Sequence, residues 1–458
     1  MAGGINMYKI SSIPGMYSRK LITADQAAAM VKDNFRIHYG TGLGAPQDID
    51  AALGRRAKEL KGVEVLSNIT ITHGPFQIYQ GSDSVDQVKF SSSHFSGADR
   101  KINKDGRCWY IPMLFNELPY YWSLNEKGID MIFISVGPMD KYGNFNIGPQ
   151  VADEWRAIEV AKKVVVEVNQ NMPRAFGEKA FLNIADVDYI VESSNPPLAE
   201  IPGKEADEAD QKIAEFVVDR IKSGSTLQLG IGGLPAAIGK MLADSDVKDL
   251  NGHTEMLVDS YVDLYNAGKI TGHKKNHPGK IVYGFAGGTK KLYDFIDDNP
   301  VCYTMPVEYV NNVQVVADIP KFVSINSCIQ LDLFGQIASE SAGPRQISGT
   351  GGQLDFVHGA FLSEGGQSFI CLHSTRANKD GSLSSLINPV LPEGTIVTTP
   401  RSATNFVITE YGAANLKGRT TWERAEMLIN IAHPDFREDL IKAAEKMGIW
   451  TQTSKCTW

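Results

Sequence analysis

The sequence predicts an α/β protein made of two related halves with largely parallel sheets. Two observations carry this. Short β-branched runs alternate with amphipathic stretches of helical period, the pattern of layered βα units whose strands run parallel. One strand–turn–helix unit also occurs twice, as FRIHYGTGLGAPQDIDAAL and as TLQLGIGGLPAAIGKML. Each is a strand ending in glycine, a glycine-rich turn, and a proline three residues before an isoleucine and seven before a leucine. Glycine turns before helices are common in α/β proteins, so coincidence competes with duplication, and the periodic match favours duplication.

In chain order, the expected strands are 35–39, 69–72, 131–136, 164–168, 226–229, 322–325 and 397–399, each a short run rich in β-branched or aromatic residues. The expected helices are 25–32, 211–222, 236–242 and 421–431, the last with apolar residues at helical spacing. Proline is favoured at a helix's first position, which places Pro46 and Pro235 at helix starts. A length of 458 residues accommodates two or three domains at ~100–200 residues each. The expected boundary lies in SNPPLAEIPGKEADEADQ, Ser194–Gln211, which combines three prolines with a charged run. This gives domains 1–205 and 206–458; an exposed loop within one domain is the competing reading.

Composition narrows the class. Hydrophobic residues are 43% and charged residues 21%, enough to build a core without metal or disulfide staples. Glycine, 43 of 458 residues, is about 9% against a usual ~7%, without extra proline or low complexity. Net charge is −8, with no basic block or stripe, so nucleic acid is not an expected partner. The odd, scattered cysteines (Cys108, Cys302, Cys328, Cys371, Cys456) include no CxxC pair and fit a reducing compartment. The stretch MAGGINMYKISSIPGMYSRK has no apolar core, so it is expected not to be a secretory signal. No apolar run is long enough to span a bilayer. A cytoplasmic protein without membrane contact is the expectation.

Several common site signatures are absent. The turns at Gly230 and Gly349 fail to complete GxGxxG, and the turn at Gly40 reaches only the alanine variant at Ala45. Gly239-Lys240 precedes methionine, not Ser or Thr, so no P-loop is formed; HExxH and GxSxG are also missing. The nine histidines are scattered and suggest no metal site.

Two glycine-rich segments stand out in the second half. GIGGLPAAI follows a strand and opens a helix, where backbone N–H groups can cradle an anion at the positive end of the helix dipole. A tight turn without a ligand is the equal alternative from position alone. SESAGPRQISGTGGQLDFVHGAFLSEGG gathers Gly349, Gly351, Gly352, Gly359, Gly365 and Gly366; composition alone reads it as a surface loop, while such a loop also lets backbone approach a ligand or oxyanion. Between them lies Glu255, which by its neighbours His253, Thr254 and Met256 reads as a solvated helix-face or capping glutamate.

The ordered motifs GIGGLPAAI, HTEM-x₂-D-x₃-D, GTKKLYDF, PVEYVN, SGTGGQLDF, TEYGAANLKG and IAHPDFREDL resemble the family I CoA-transferases, most closely the acetyl-CoA hydrolase/transferase branch. GADRKIN, GPMDKYGNFNIGP and VEVNQNMPR extend the resemblance over nearly the whole chain. The resemblance implies two open α/β domains with the active site at their interface. It implies that Glu255 is the nucleophile that forms a glutamyl-CoA thioester, and that the backbone N–H groups of Ile231 and Gly352, with the Asn311 amide, stabilise oxyanions. For Asn311, a plain turn role in the Asn311-Asn312 pair is the alternative. CoA contacts are implied at Gly230, Ile231, Gly232, Gly233, Leu234, Ser348, Gly351, Gly352 and, in NKDG, Lys379, which by sequence alone is a surface turn lysine. No metal or permanently bound cofactor is implied; coenzyme A enters as substrate and covalent intermediate.

The implied activity is acyl-CoA:carboxylate CoA transfer with short-chain acids such as acetate and butyrate, in a homo-oligomer. Transfer to 4-hydroxybutyrate or propionate and acyl-CoA hydrolysis share the covalent start. A non-catalytic CoA-binding protein is the alternative from a different class, and a dinucleotide oxidoreductase is weaker still. His433 reads as a helix-end residue and Cys328 and Cys371 as core thiols. Trp109, Tyr110, Tyr120, Tyr121 and Trp122 are candidates for an acyl pocket, with core packing the stronger reading.

Overall fold

Two parallel sheets organise the computed structural model, which describes residues 13–454; the first twelve residues of the N-terminal stretch and Cys456 lie outside the described residues. The first sheet has seven strands, all parallel, in the spatial order Tyr189–Glu192, Val164–Val168, Met131–Val136, Arg36–Tyr39, Val63–Ser67, Val88–Ser92 and Cys108–Tyr110. The second has nine, ordered Gly412–Asn415, Phe406–Thr409, Gln367–Cys371, Phe322–Ser327, Thr226–Leu229, Asn251–Leu257, Ile281–Ala286, Cys302–Thr304 and Phe176–Gly177. Only its hairpin 406–415 is antiparallel. Central strands such as Met131–Val136 and Ile281–Ala286 are buried along their whole length, which explains why they are uninterrupted apolar runs rather than alternating ones.

The repeated unit occupies the same place in both sheets. Arg36–Tyr39 and Thr226–Leu229 each have parallel neighbours on both sides, and each leads through its glycine turn to a helix, Asp48–Arg56 or Gly233–Asp244. In the second sheet the chain runs outward from Thr226–Leu229 through 251–257, 281–286 and 302–304, then returns to its other side with 322–327, 367–371 and 406–409. Strand order therefore reverses at Thr226–Leu229, and a crevice opens at the carboxyl ends there, where α/β sheets bind ligands. The halves share one apolar core, with Ile134 and Ile147 in the same cluster as Leu227 and Phe285. Backbone bonds stitch them further: Ala152 N donates to Gly284 O at 3.0 Å, and Ala286 N to Pro149 O at 2.8 Å.

The expected strands at 35–39, 131–136, 164–168, 226–229 and 322–325 are present within a residue or two. Residues 69–72 are not a strand. The strand is Val63–Ser67, and Ile69 turns the chain with φ of 41°, its N–H bonding His94 O at 3.0 Å. Residues 397–399 form only a single bridge, Thr399 to Ile337. The helix expected at 211–222 is Glu208–Val218, because Asp207 caps it and Asp210 returns the bond. The helix thus begins inside the proline-rich segment, whose residue Ile201 bonds Gly288 O at 2.8 Å. The other three helices fall at Ala24–Ala29, Gly233–Asp244 and Thr421–Asn430.

Neither proline stands at a first helical position. Pro46 precedes the cap Gln47, and Pro235 is third in its helix, still within the first turn, where a missing N–H breaks no bond. The second glycine-rich segment is not one loop. Gly349–Gly352 form a turn, Gly359 lies within the helix Gln353–Leu362, and Gly365 and Gly366 form the turn after it. His433 does stand at a helix end, its Nδ1 accepting from Asp435 N at 3.3 Å. Cys371 is buried and Cys328 half-buried, and burial raises both thiol pKa values well above the usual range. No helix among the described residues is long and apolar enough to cross a membrane.

Candidate active site

Glu255 lies on a strand, not on a helix face. It is the one half-buried residue in Asn251–Leu257, near the carboxyl end, next to the strand whose end carries the GIGG turn. Alternation puts His253 and Glu255 on one face. Both address the turn at Val307–Asn311. His253 Nε2 sits 2.7 Å from Val310 O, and Asn311 Nδ2 donates to Glu255 Oε2 at 2.6 Å. His253 is fully buried, and burial holds its pKa down to about 3, so the ring is a neutral strut.

Asn311 ends the short helix Val307–Val310, while Asn312 caps the next one by accepting from Gln314 N and Val315 N. The Asn311-Asn312 pair therefore divides its work. One residue makes the turn and the other, with no solvent exposure, turns its amide onto the carboxylate.

The backbone N–H of Gly352 donates to Glu255 as well. Gly352 caps the helix Gln353–Leu362, and a Cβ there would stand 2.1 Å from Asn311 Nδ2 and 2.2 Å from Glu255 Oε2. Only glycine permits this approach. Burial raises the Glu255 pKa to about 7, and the bonds from Asn311 and Gly352 offset part of that rise. The arrangement is a carboxylate at the edge of ionisation, oriented by two donors and open on one side.

Beyond Gly351 a cleft of about 610 Å³ separates the halves, lined by Ile71, His94, Ile231, Met256 and Ser348 among others. Glu255 lies behind its wall: a Cβ on Gly351 would be 3.3 Å from His94 Cε1 and 3.8 Å from Glu255 Oε1. The wall 347–351 is pinned by the first half. Arg100 Nη1 donates to Ile347 O at 2.8 Å, Thr350 N to the Tyr110 hydroxyl at 2.8 Å, and Phe115 N to Gly351 O at 3.1 Å. Ser348 uses its hydroxyl on Ser339 O at 3.1 Å.

The GIGG turn stands on the other side of this cleft. Ile231 is 50% exposed and lines both it and a second cavity of about 530 Å³ with Gly232, Gly233, Leu234, His373 and Arg376. Gly232 has φ of 117°, a conformation open to glycine. Gly230 is half-buried at the strand end. The structure thus brings Glu255, Asn311, Gly351 and Gly352 together, with Gly230–Leu234 and Ser348 at the cleft. Lys379 is not brought in: it is exposed at the tip of the hairpin 375–385, outside the lining of either cavity.

Several expectations are corrected here. Glu255 is not a solvated glutamate. The aromatic run 109–122 does not line the cleft. Trp122 is buried and donates to Asp153 Oδ2 at 2.6 Å, Tyr110 holds Thr350, and Trp109 and Tyr120 are 49% and 57% exposed. One histidine does join a set of possible metal ligands, His373 with Asp207 and Asp210. Its bonds are those of a helix cap, since each aspartate accepts the other's N–H and His373 Nε2 sits 2.8 Å from Asp210 Oδ1. Sequence reasoning missed His94, the loop 69–75, Met256 and Asp355. His94 and Asp355 lie inside or beside quoted motifs, but nothing local signals that they meet near Glu255.

Residues 9–202 match the acetyl-CoA hydrolase/transferase N-terminal domain and residues 288–444 the C-terminal domain of the same name. The chain is 46% identical over 442 residues to a butyryl-CoA:acetate CoA-transferase of Anaerostipes caccae, covering 96% of this chain and 99% of that protein. It is 41% identical to a 4-hydroxybutyrate coenzyme A transferase of Clostridium kluyveri, covering 94% and 98%. Among solved structures, RipA of Yersinia pestis superposes with a TM-score of 0.87 at 34% identity, covering 96% of this chain and 100% of that one.

Proposed function

The chain belongs to the acetyl-CoA hydrolase/transferase family, and from that membership we propose that it is an acyl-CoA:carboxylate CoA-transferase exchanging CoA between butyryl-CoA and acetate. The single observation that carries the reading is the Glu255 carboxylate held by Asn311 Nδ2 and Gly352 N–H directly behind the Gly351 wall of the cleft between the halves. Ionised Glu255 attacks the thioester carbonyl of butyryl-CoA, and the tetrahedral intermediate expels CoA thiolate to leave a mixed anhydride. The thiolate then attacks the glutamyl carbonyl and expels butyrate, giving the glutamyl-CoA thioester. Acetate runs the same two steps backwards and leaves as acetyl-CoA. Each step needs donors at the developing oxyanion, and Asn311 and Gly352 serve the glutamyl oxygen. The backbone N–H of Ile231, on the opposite side of the cleft, serves the acyl oxygen.

We assign the CoA path to Gly230–Leu234, Ser348 and Gly351, with Lys379 reaching the distal part of the molecule from its hairpin. Coenzyme A is the only cofactor-like molecule in this reading, and it is consumed and regenerated. The two halves, 1–205 and 206–458, act together in a cytoplasmic homo-oligomer.

Mass spectrometry of the protein incubated with butyryl-CoA alone tests the route. A CoA-sized adduct on the Glu255 peptide, removed by hydroxylamine, is expected; full transfer activity with no adduct would sink the reading. Parallel initial-rate lines with acetate, and little turnover without it, separate transfer from hydrolysis. Attack requires the ionised carboxylate, so kcat/KM is expected to fall as pH drops through about 7, the pKa to which burial lifts Glu255. An acidic limb centred instead near the ordinary glutamate value of 4.5 would show that burial does not disfavour the Glu255 charge.

A further inference from the structure

We propose that Asp355 is a positioning residue for this transfer, a second buried carboxyl that fixes the Asn311 amide against Glu255. The proposal rests on the glutamyl route above. Asp355 is the third residue of the helix Gln353–Leu362, which starts directly after Gly352, and it is only 2% exposed. The Asn311 amide that donates to Glu255 Oε2 also stands near enough to Asp355 to favour its charged form, as does the Asn116 backbone N–H. Two carboxyls therefore flank one amide in a buried pocket.

The charged groups acting on Asp355 are both acidic: Glu255 from the strand Asn251–Leu257, and Glu117 from the turn Phe115–Glu117. Two carboxylates flanking one donor in such a place do not both ionise. Glu255 is the less buried of the two, so the proton stays on Asp355, whose pKa burial and Glu255 together lift to about 8. Two buried polar atoms, Asp355 Oδ2 and Asn311 Oδ1, have no hydrogen-bond partner among the described residues. Protonated, Oδ2 is a donor in a pocket where the amide oxygen is an unanswered acceptor.

The chemical consequence concerns the oxyanion. While Glu255 is acylated, its carbonyl gathers negative charge as thiolate attacks, and Asn311 Nδ2 must stay directed at it. An ionised Asp355 would compete for that N–H and set a like charge beside the oxyanion. A neutral one does neither.

The test compares Asp355→Asn and Asp355→Ala by kcat, KM, pH profile and rate of adduct formation, with circular dichroism to monitor folding. Asp355→Ala is expected to lower kcat about a hundredfold, the cost of a small misplacement at the reacting centre, with little change in KM for acyl-CoA. Asp355→Asn, a neutral isostere with its own donor and acceptor, is expected to recover most of that loss. The unchanged protein is expected to lose kcat as pH rises through about 8, and Asp355→Asn should abolish that fall. A folded Asp355→Asn as slow as Asp355→Ala would overturn the proposal, as would an alkaline limb that persists in it. If the unchanged protein forms no Glu255 adduct, the glutamyl route itself fails; if it forms one and Asp355→Ala forms it equally fast, only the role of Asp355 fails.

Discussion

Glu255→Gln is expected to abolish CoA transfer while making the folded protein more stable above neutral pH. An amide at this position keeps the shape and accepts the same bonds from Asn311 and Gly352 through its carbonyl oxygen. It has no anionic oxygen with which to open a thioester, so turnover should fall by at least about 10⁴-fold, the scale seen when a covalent nucleophile is removed. The stability change follows from linkage. Burial raises the Glu255 pKa from 4.5 to about 7, so the fold disfavours the charge, and that penalty grows as pH rises through this window. Allowing for screening through the cleft, removing the charge should add about 1–3 kcal/mol above pH 7 and nothing below pH 4. Thermal melts of the two proteins at pH 4 and pH 8 check this. Equal midpoints at pH 8 would mean that the carboxylate is solvated after all, and residual transfer in the variant would point to another nucleophile.

Gly352→Ala is expected to lose about 10²–10³ in kcat with the fold intact. The added methyl would lie 2.1 Å from Asn311 Nδ2 and 2.2 Å from Glu255 Oε2, closer than any real contact. Asn311 is fully buried and Glu255 is rooted in a central strand, so neither yields without breaking their mutual bond. The carboxylate would lose its orientation and the oxyanion a donor, a loss of about 3 kcal/mol in the barrier. Steady-state kinetics together with a melting curve decide it. Near-normal kcat would show that the turn relaxes freely, and a protein that fails to fold would show that Gly352 serves the helix start before it serves the site.

Legibility along the chain followed the range of the interactions. The strand ending Thr226–Leu229 and the helix after it were readable because both are written in consecutive residues, as were the parallel strands at 131–136 and 164–168. Residues 69–72 read as a strand because Ile69, Thr70 and Ile71 look β-forming by type, but the chain there is bent by contacts to His94 and Gly42, and the strand is Val63–Ser67. The aromatic run 109–122 gave a similar false unit, since its members face the core, the 347–351 wall and solvent in turn.

The sequence by itself determined the α/β class, the repeated strand–turn–helix unit and, through its ordered motifs, the family. Only the tertiary structure decided the environment of that glutamate. Residues 255, 311, 352 and 355 come from three separate elements, and a pKa lifted to about 7 arises from burial that no neighbouring residue encodes. Local composition records propensity and period; desolvation and shared donors depend on distances that exist only once the strand, the turn and the helix have packed.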